Sequence, residues 1–509
     1  MSWLSDKPLE RILSETWKDI DSSYRKAFFA VVVVSLLAFA FEMTNLTLHH
    51  DDVAQIFIRD TILGHYIGRF GLGWLHYYTQ SAHIMPFLQM AEGIVMMAAY
   101  GLLVAHLWGM ATTMNIAIVA SILCVFPYMA QVYQYNTAMA TYSLAHLLSA
   151  LAVFLSVGAT FRRVILAALA YVAALSIYQS VICNAAAIFC IWLVSQLLFG
   201  GEKDGLRYKA LAKSLSVSIL AVVLGGLIYV GIVSHMHIQF GAYQGADEAF
   251  SLRRGLDLSL GIQEVLKGTR SFFMWPEHYF PDYLKKLQLV FLAGAIVVCA
   301  WLPKGATKKI GASSILIVSL FTPRLLQFVD PTGWFHNLTL TAYAVVVSGL
   351  VMILLRAGPI LTRNVSSLMS LILIGGYLIQ CNWISTVCYL NTLAHYSAMT
   401  QILTRLRSLP AEGWDGKTVA VVGKLKMYTD YPYLRTTGVA AEFLDAQHIG
   451  NFAHLLREDM MFIKAQQAPP AVQKYAESHA PWPNPDSIGV ADGMAVLVLS
   501  KAQKEPDQE

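Results

Sequence analysis

Two adjacent acids, Asp51 and Asp52, follow two histidines at the end of a long apolar run, in the stretch His49-His50-Asp51-Asp52. Paired carboxylates in such a place can bind a metal, take a proton as a general base, or stay solvated as loop residues. Beyond them Val53, Ile56, Phe57, Leu63, Ile67 and Phe70 recur at helical spacing, with Arg59, His65 and Arg69 on the polar side. That pattern predicts an amphipathic helix lying in a membrane interface. It would hold the acids at headgroup depth, where the phosphate of a lipid-linked sugar also sits. The chemistry available there is simple. The phosphate departs as a stable anion, one carboxylate takes the proton of an acceptor hydroxyl, and a nearby cation steadies the charge on the leaving group.

Arg324, in the run SLFTPRLLQFVD just after Pro323, is the candidate for that cation. A charge inside an apolar span costs about 2.5–3.5 kcal/mol at the helix centre and less near an end, so it normally has a partner. Anion binding is one reading and snorkelling to the headgroups the other. Further substrate-binding candidates are Arg253, Arg254, Arg270, Trp275 and His278, in one long polar stretch that also carries Lys267. Aromatic residues at an interface are commonly belt residues, which is the plain reading of Trp275. Gln134-Tyr135-Asn136 and Tyr178-Gln179-Ser180 form short polar turns between apolar runs. They can bind sugar hydroxyls or cap helices. Glu42 and Glu92, within spans, are read as structural.

The elements that must position these residues are membrane helices. The chain has 509 residues, 56% hydrophobic and only 13% charged, against about 25% charged in soluble domains. About eleven spans are predicted, near 27–46, 85–106, 112–131, 138–158, 163–179, 181–199, 214–234, 287–303, 310–328, 337–356 and 367–389. Residues 1–26 are polar and do not read as a cleavable signal peptide. The six cysteines all fall in apolar runs, which excludes a disulfide framework or a zinc site. The net charge of +4 says nothing about nucleic acid, and with no basic patch interleaved with aromatics no nucleic-acid partner is expected.

Lysine and arginine cluster on alternate connections: Lys7 to Lys26, Arg162 and Arg163, Lys203 to Lys213, Lys304 to Lys309, and Arg356 with Arg363. By the positive-inside rule that side is the cytoplasm, with an outside C-terminus. Two loops, 47–84 and 235–286, and the tail 390–509 then face the exterior. The tail reads as a small α/β domain. It has a helix over 391–408, a strand at Thr418–Val422, helices near 438–446 and 450–463, and a hairpin over 487–499 turned at Asp492-Gly493.

With acids in the first exterior loop and an exterior C-terminal domain, the chain resembles the GT-C superfamily of membrane glycosyltransferases. More narrowly, it resembles the type II Gtr family of serotype-converting O-antigen glucosyltransferases. The resemblance rests on Asp51-Asp52, Gly68-Arg69, Gln134-Tyr135-Asn136 and Leu175-Ser176-Ile177-Tyr178-Gln179-Ser180, and covers the first 400 residues or so in topology. It implies a GT-C-like transmembrane domain over 27–389 in a bacterial inner membrane, with the tail in the periplasm. The implied reaction is inverting transfer of a sugar, glucose, from a polyprenyl-phosphate donor to a lipid-linked glycan such as an O-antigen repeat unit. One acid of the pair would be the base, and Arg69 and Arg324 would hold the donor phosphate. No metal or other cofactor is expected. The competing readings are a flippase or transporter of lipid-linked sugars and a surface-polysaccharide polymerase or ligase.

Overall fold

The computed structural model describes residues 15, 17–48, 52, 68–80, 85–158, 160–200, 204–236, 258–275, 277, 279–328, 330–331, 335–410, 412–426 and 443–501. The helices are α1 (Ser22–Thr44), α2 (Phe70–Gln80), α3 (Pro86–Leu107), α4 (Thr113–Cys124), α5 (Pro127–Gln134), α6 (Met139–Val157) and α7 (Phe161–Ile177). Then come α8 (Val181–Phe199), α9 (Asp204–His235), α10 (Leu258–Met274), α11 (Asp282–Trp301), α12 (Ala306–Phe321), α13 (Ala342–Arg356) and α14 (Ile360–Arg407).

Among the described residues, nine helices are long and apolar enough to cross a membrane outright. Where a span is expected near 112–131, α4 and α5 are long and apolar enough only together and bend by 52°, as a broken span or a re-entrant loop does; Pro127 opens the second helix. Where a span is expected near 163–179 the chain forms α7, whose 17 residues are about the least that could cross a bilayer core. Helix α13 lies at the centre of the bundle, buried from Ala342 to Ile353 without a lipid-facing stripe. Small residues let neighbouring helices approach, as membrane packing favours; a Cβ on Gly101 would lie 2.8 Å from that of Ala120, so α3 and α4 touch backbone to backbone.

Helix α14 runs unbroken through position 390. The predicted span and the predicted helix after it are one continuous helix of 48 residues, about 70 Å long, more than twice the thickness of a bilayer core. Its far end supplies Met399, Ile402, Leu403 and Leu406 to the core of the C-terminal domain. That domain contains β1 (Trp414–Val422), β2 (Leu425–Lys426), β3 (Phe443–Leu444), α15 (Ala446–Leu455), β4 (Met461–Lys464), α16 (Pro470–Ser478), β5 (Ile488–Ala491) and β6 (Gly493–Val498). The main sheet runs β4-β1-β6-β5, with β1 parallel to both neighbours and β5 antiparallel to β6.

The expected hairpin is present, and Asp492 and Gly493 both adopt positive φ, 49° and 79°, as a type I′ turn demands. The helices expected near 438–446 and 450–463 differ. Residues 438–442 lie outside the described residues, 443–444 are strand, one helix covers 446–455, and 461–464 form the edge strand β4. Met461 and Lys464 are exposed and Phe462 and Ile463 half-buried, so pairing with β1 decides their state. Leu48, at the end of the segment leaving α1, joins the C-terminal core and donates its N–H to Thr392 Oγ1 at 3.2 Å.

Candidate active site

Polar side chains collect at the end of the bundle that carries the C-terminal domain. Arg356 marks the opposite end, bonded to the Trp108 carbonyl and to Ser195 Oγ at 2.8 Å.

Asp52 is fully buried, at 0% exposure. Its Oδ2 accepts from Asn136 Nδ2 at 2.8 Å and from the Asn136 N–H at 3.3 Å, and Oδ1 accepts from the Thr137 N–H at 3.3 Å. These donors lie just ahead of α6, whose first residue is Met139, so the carboxylate faces the positive end of a helix dipole. A buried charge needs such partners. Asn136 Nδ2 also donates to the Thr47 carbonyl at 2.6 Å, and the Thr47 hydroxyl donates to Glu42. The expected polar turn therefore grips the acid, across 84 residues of sequence. Asp51 lies outside the described residues, as do His49, His50, Arg59 and His65, and with them the interfacial helix expected over 53–67.

Arg69 follows Gly68, whose φ of 71° suits glycine. Its Nε donates to Gln179 Oε1 at 3.1 Å and its Nη1 to the Tyr142 hydroxyl at 2.9 Å. The guanidinium sits 4.9 Å over the Tyr178 ring, which stacks on Tyr142 at 4.3 Å. Gln179 in turn donates to the Tyr229 hydroxyl, which donates to the Gly68 carbonyl at 3.0 Å. Behind Tyr142 lies a chain that the sequence reading missed. His146 Nδ1 is 2.7 Å from the Tyr142 carbonyl, which can only accept, so Nδ1 carries the proton. Its Nε2 then accepts from Thr341 Oγ1 at 3.0 Å, and Thr341 accepts from Asn184 Nδ2 at 3.3 Å. A histidine four residues after a tyrosine on one helix face was the available signal.

Arg324 does not sit in a regular span. Pro323 ends α12, and residues Thr322–Phe328 form a 3₁₀ segment interrupted at Arg324, with φ −114° and ψ 19°. Nε donates to the Tyr343 hydroxyl at 3.0 Å and Nη1 reaches Gln327 Oε1 at 3.4 Å, while Nη2 makes no hydrogen bond to any described residue. The guanidinium occupies the space over Gly268 on α10, where a Cβ would lie 2.3 Å from Cζ. Arg324 is thus held along one edge of its guanidinium. Helix α10, together with Gly261 against Phe328, covers this segment; the sequence reading treats that stretch as loop.

Glu277 and Lys285 were also missed. The Lys285 ammonium is 3.2 Å from Glu277 Oε2, bonds the Phe272 carbonyl, and lies 4.3 and 4.8 Å over the rings of Phe272 and Phe280. Glu277 Oε1 accepts from the Tyr128 hydroxyl at 2.5 Å. Of the other candidates, Arg270 and Trp275 are exposed, Trp275 at 59%. Arg253, Arg254 and His278 lie outside the described residues. Among the described residues no three His, Cys, Asp or Glu side chains converge as metal ligands.

The family described as Glucosyl transferase GtrII matches residues 40–380, about two thirds of the chain. The chain belongs to this family. It is a glycosyltransferase in a helical, membrane-type scaffold, as the resemblance implied, which leaves the transporter reading without support. The GtrII match takes in Asp52, Arg69, Asn136, Gln179, Glu277 and Arg324, whereas the C-terminal α/β domain falls outside it. No curated protein and no solved structure matches the chain.

Proposed function

We propose that this glycosyltransferase moves glucose from a polyprenyl-phosphate donor to a lipid-linked glycan, such as an O-antigen repeat unit, with inversion at the anomeric carbon. In this reading the scaffold is GT-C-like with eleven spans, counting the broken α4–α5 pair and α7. It lies in a bacterial inner membrane with its polar end and C-terminal domain on the periplasmic face. The observation that carries the reading is Arg324, fixed along one edge by Tyr343 and Gln327 with Nη2 left for a phosphate, at the same end as the buried Asp52. Planar guanidinium groups suit phosphate because two N–H donors meet two oxygens.

The step is a direct displacement. The acceptor hydroxyl oxygen bonds to C1 of the sugar from the face opposite the phosphate as the C1–O bond to phosphate breaks. The bond's electron pair leaves on the polyprenyl phosphate, where Arg324 and Arg69 offset its charge. The hydroxyl proton passes to a carboxylate. Asp52, closed to solvent with both oxygens accepting, suits an anchor that shapes the loop, so the base role passes to Asp51. The cationic charge comes from arginine and no divalent metal is assigned.

Substitution of each acid tests the division. Asp51→Asn should lower transfer by at least about a hundredfold while donor still binds. Asp52→Asn should lower stability and activity together, because the buried amide then faces the donors of Asn136 and Thr137. Normal transfer by both variants would remove the pair from the mechanism.

A further inference from the structure

The structure holds a further acid that the transfer step does not use. Glu277 is tied to Lys285 and Tyr128, yet its side chain is 25% exposed, against 7% for that of Lys285. A contact path joins it to Arg324. Arg324 Nε bonds Tyr343, the Tyr343 ring stacks on Phe272 at 3.7 Å, and the ring and carbonyl of Phe272 hold Lys285 and, through it, Glu277. The Tyr128 hydroxyl that bonds Glu277 belongs to a ring set edge-on to the same Phe272, at 6.2 Å.

Two cations and one carboxylate thus meet around the stacked rings of Phe272 and Tyr343. Glu277 neutralises Lys285, which leaves the charge of Arg324 for an anion. A purely structural reason for the Glu277–Lys285 pair is weak, since buried ion pairs often stabilise no better than apolar packing. The ammonium also has the Phe272 carbonyl and two ring faces without Glu277. An ionised carboxylate offers about four acceptor sites, and Tyr128 and Lys285 take one each. What remains can only accept, and it repels phosphate. Sugar hydroxyls are the donors that complement it.

We propose that Glu277 is a sugar-binding residue of this enzyme, its carboxylate accepting hydrogen bonds from hydroxyls of the hexose whose phosphate Arg324 holds. Tyr128 and Lys285 act as positioning residues that aim it. The assignment rests on the donor reading above and determines which sugar is accepted. Hydrogen bonds to a charged acceptor are the stronger kind, so each is expected to contribute about tenfold to a hundredfold in affinity.

The test uses the full-length protein in lipid and two probes: polyprenyl-phosphate glucose, and polyprenyl phosphate without sugar. Glu277→Asp keeps the charge beside Lys285 but withdraws the carboxylate by one methylene. It should weaken the sugar-bearing probe about tenfold or more and leave the sugar-free probe within about twofold. On the unaltered protein, at least one single-deoxyglucose donor should bind about tenfold more weakly, and that penalty should vanish in Glu277→Asp. Equal losses for both probes, no loss for either, or full tolerance of every deoxy donor by the unaltered protein would each overturn the proposal. Arg324→Ala is read separately with the sugar-free probe. Retained affinity there would overturn the phosphate role of Arg324, whatever Glu277 does.

Discussion

Gly268→Ala adds one methyl group to α10, and its effect can be worked from the packing. The new Cβ would lie 2.3 Å from Cζ, 2.4 Å from Nη1 and 2.5 Å from Nε of Arg324. Non-bonded heavy atoms rest about 3.5–4.0 Å apart, so the guanidinium must retreat by more than about 1 Å. Its 3.0 Å bond from Nε to Tyr343 cannot survive that shift. The yielding group is the tip of a flexible side chain, so the fold loses little. Alanine is also favoured over glycine inside a helix by about 1 kcal/mol. The variant should therefore be as stable as the parent yet transfer sugar about a hundredfold more slowly, as a misplacement of about 1 Å costs where geometry matters. Initial rates with polyprenyl-phosphate glucose, alongside thermal unfolding in detergent, measure both. Gly226→Ala on α9, where a Cβ meets nothing within 4 Å, is the control for helix propensity. In an Arg324→Ala background, Gly268→Ala should add nothing. A stable Gly268→Ala protein with normal rates would refute the claim that the seat of Arg324 matters.

Two further outcomes follow from the architecture. A reporter active only in the cytoplasm, fused after Lys501, should stay silent, whereas the same reporter inserted after Gly305 between α11 and α12 should be active; the reverse pattern would invert the assigned orientation. In the C-terminal domain, Asp445 caps α15, accepting from the N–H groups of Gln447 and His448 at 3.0 Å and from His448 Nδ1 at 2.7 Å. Burial works against its charged form, but these hydrogen bonds prevail and hold the carboxyl at about 2. Because its folded value is depressed, its contribution is fully present above the ordinary carboxylate range and is lost as pH falls toward 2. Asp445→Ala should destabilise the domain by about 1 kcal/mol at neutral pH and by less in acid, measured by thermal unfolding at each pH.

Local pattern carried most of the long apolar helices and the hairpin at Asp492-Gly493, because apolar runs and turn pairs are visible in a few consecutive residues. Partnership was not visible in that way. Asn136 and Asp52 meet across 84 residues, and Tyr128 and Glu277 across 149. Lys285 stands just ahead of an expected span and reads as a flank charge; only the aromatic rings of Phe272 and Phe280 around its ammonium reveal it as buried. Helix α10 was passed over because its apolar residues serve two sides. Val265 and Phe272 face the bundle while Ile262 and Leu266 stay exposed, so no single apolar run marks it. The strand β4 failed for the opposite reason. Four residues of weak pattern take their state from β1, which lies some 40 positions earlier.

The central claim is that a sugar leaves a polyprenyl phosphate and arrives on its acceptor with its anomeric configuration reversed. Purified protein reconstituted in lipid, given a polyprenyl-phosphate glucose of known anomeric form and a lipid-linked glycan acceptor, tests it directly when the product is read by NMR. The account predicts a new glycosidic bond of the opposite configuration and one polyprenyl phosphate released per transfer. Retained configuration, or transfer only from a nucleotide sugar, would contradict it.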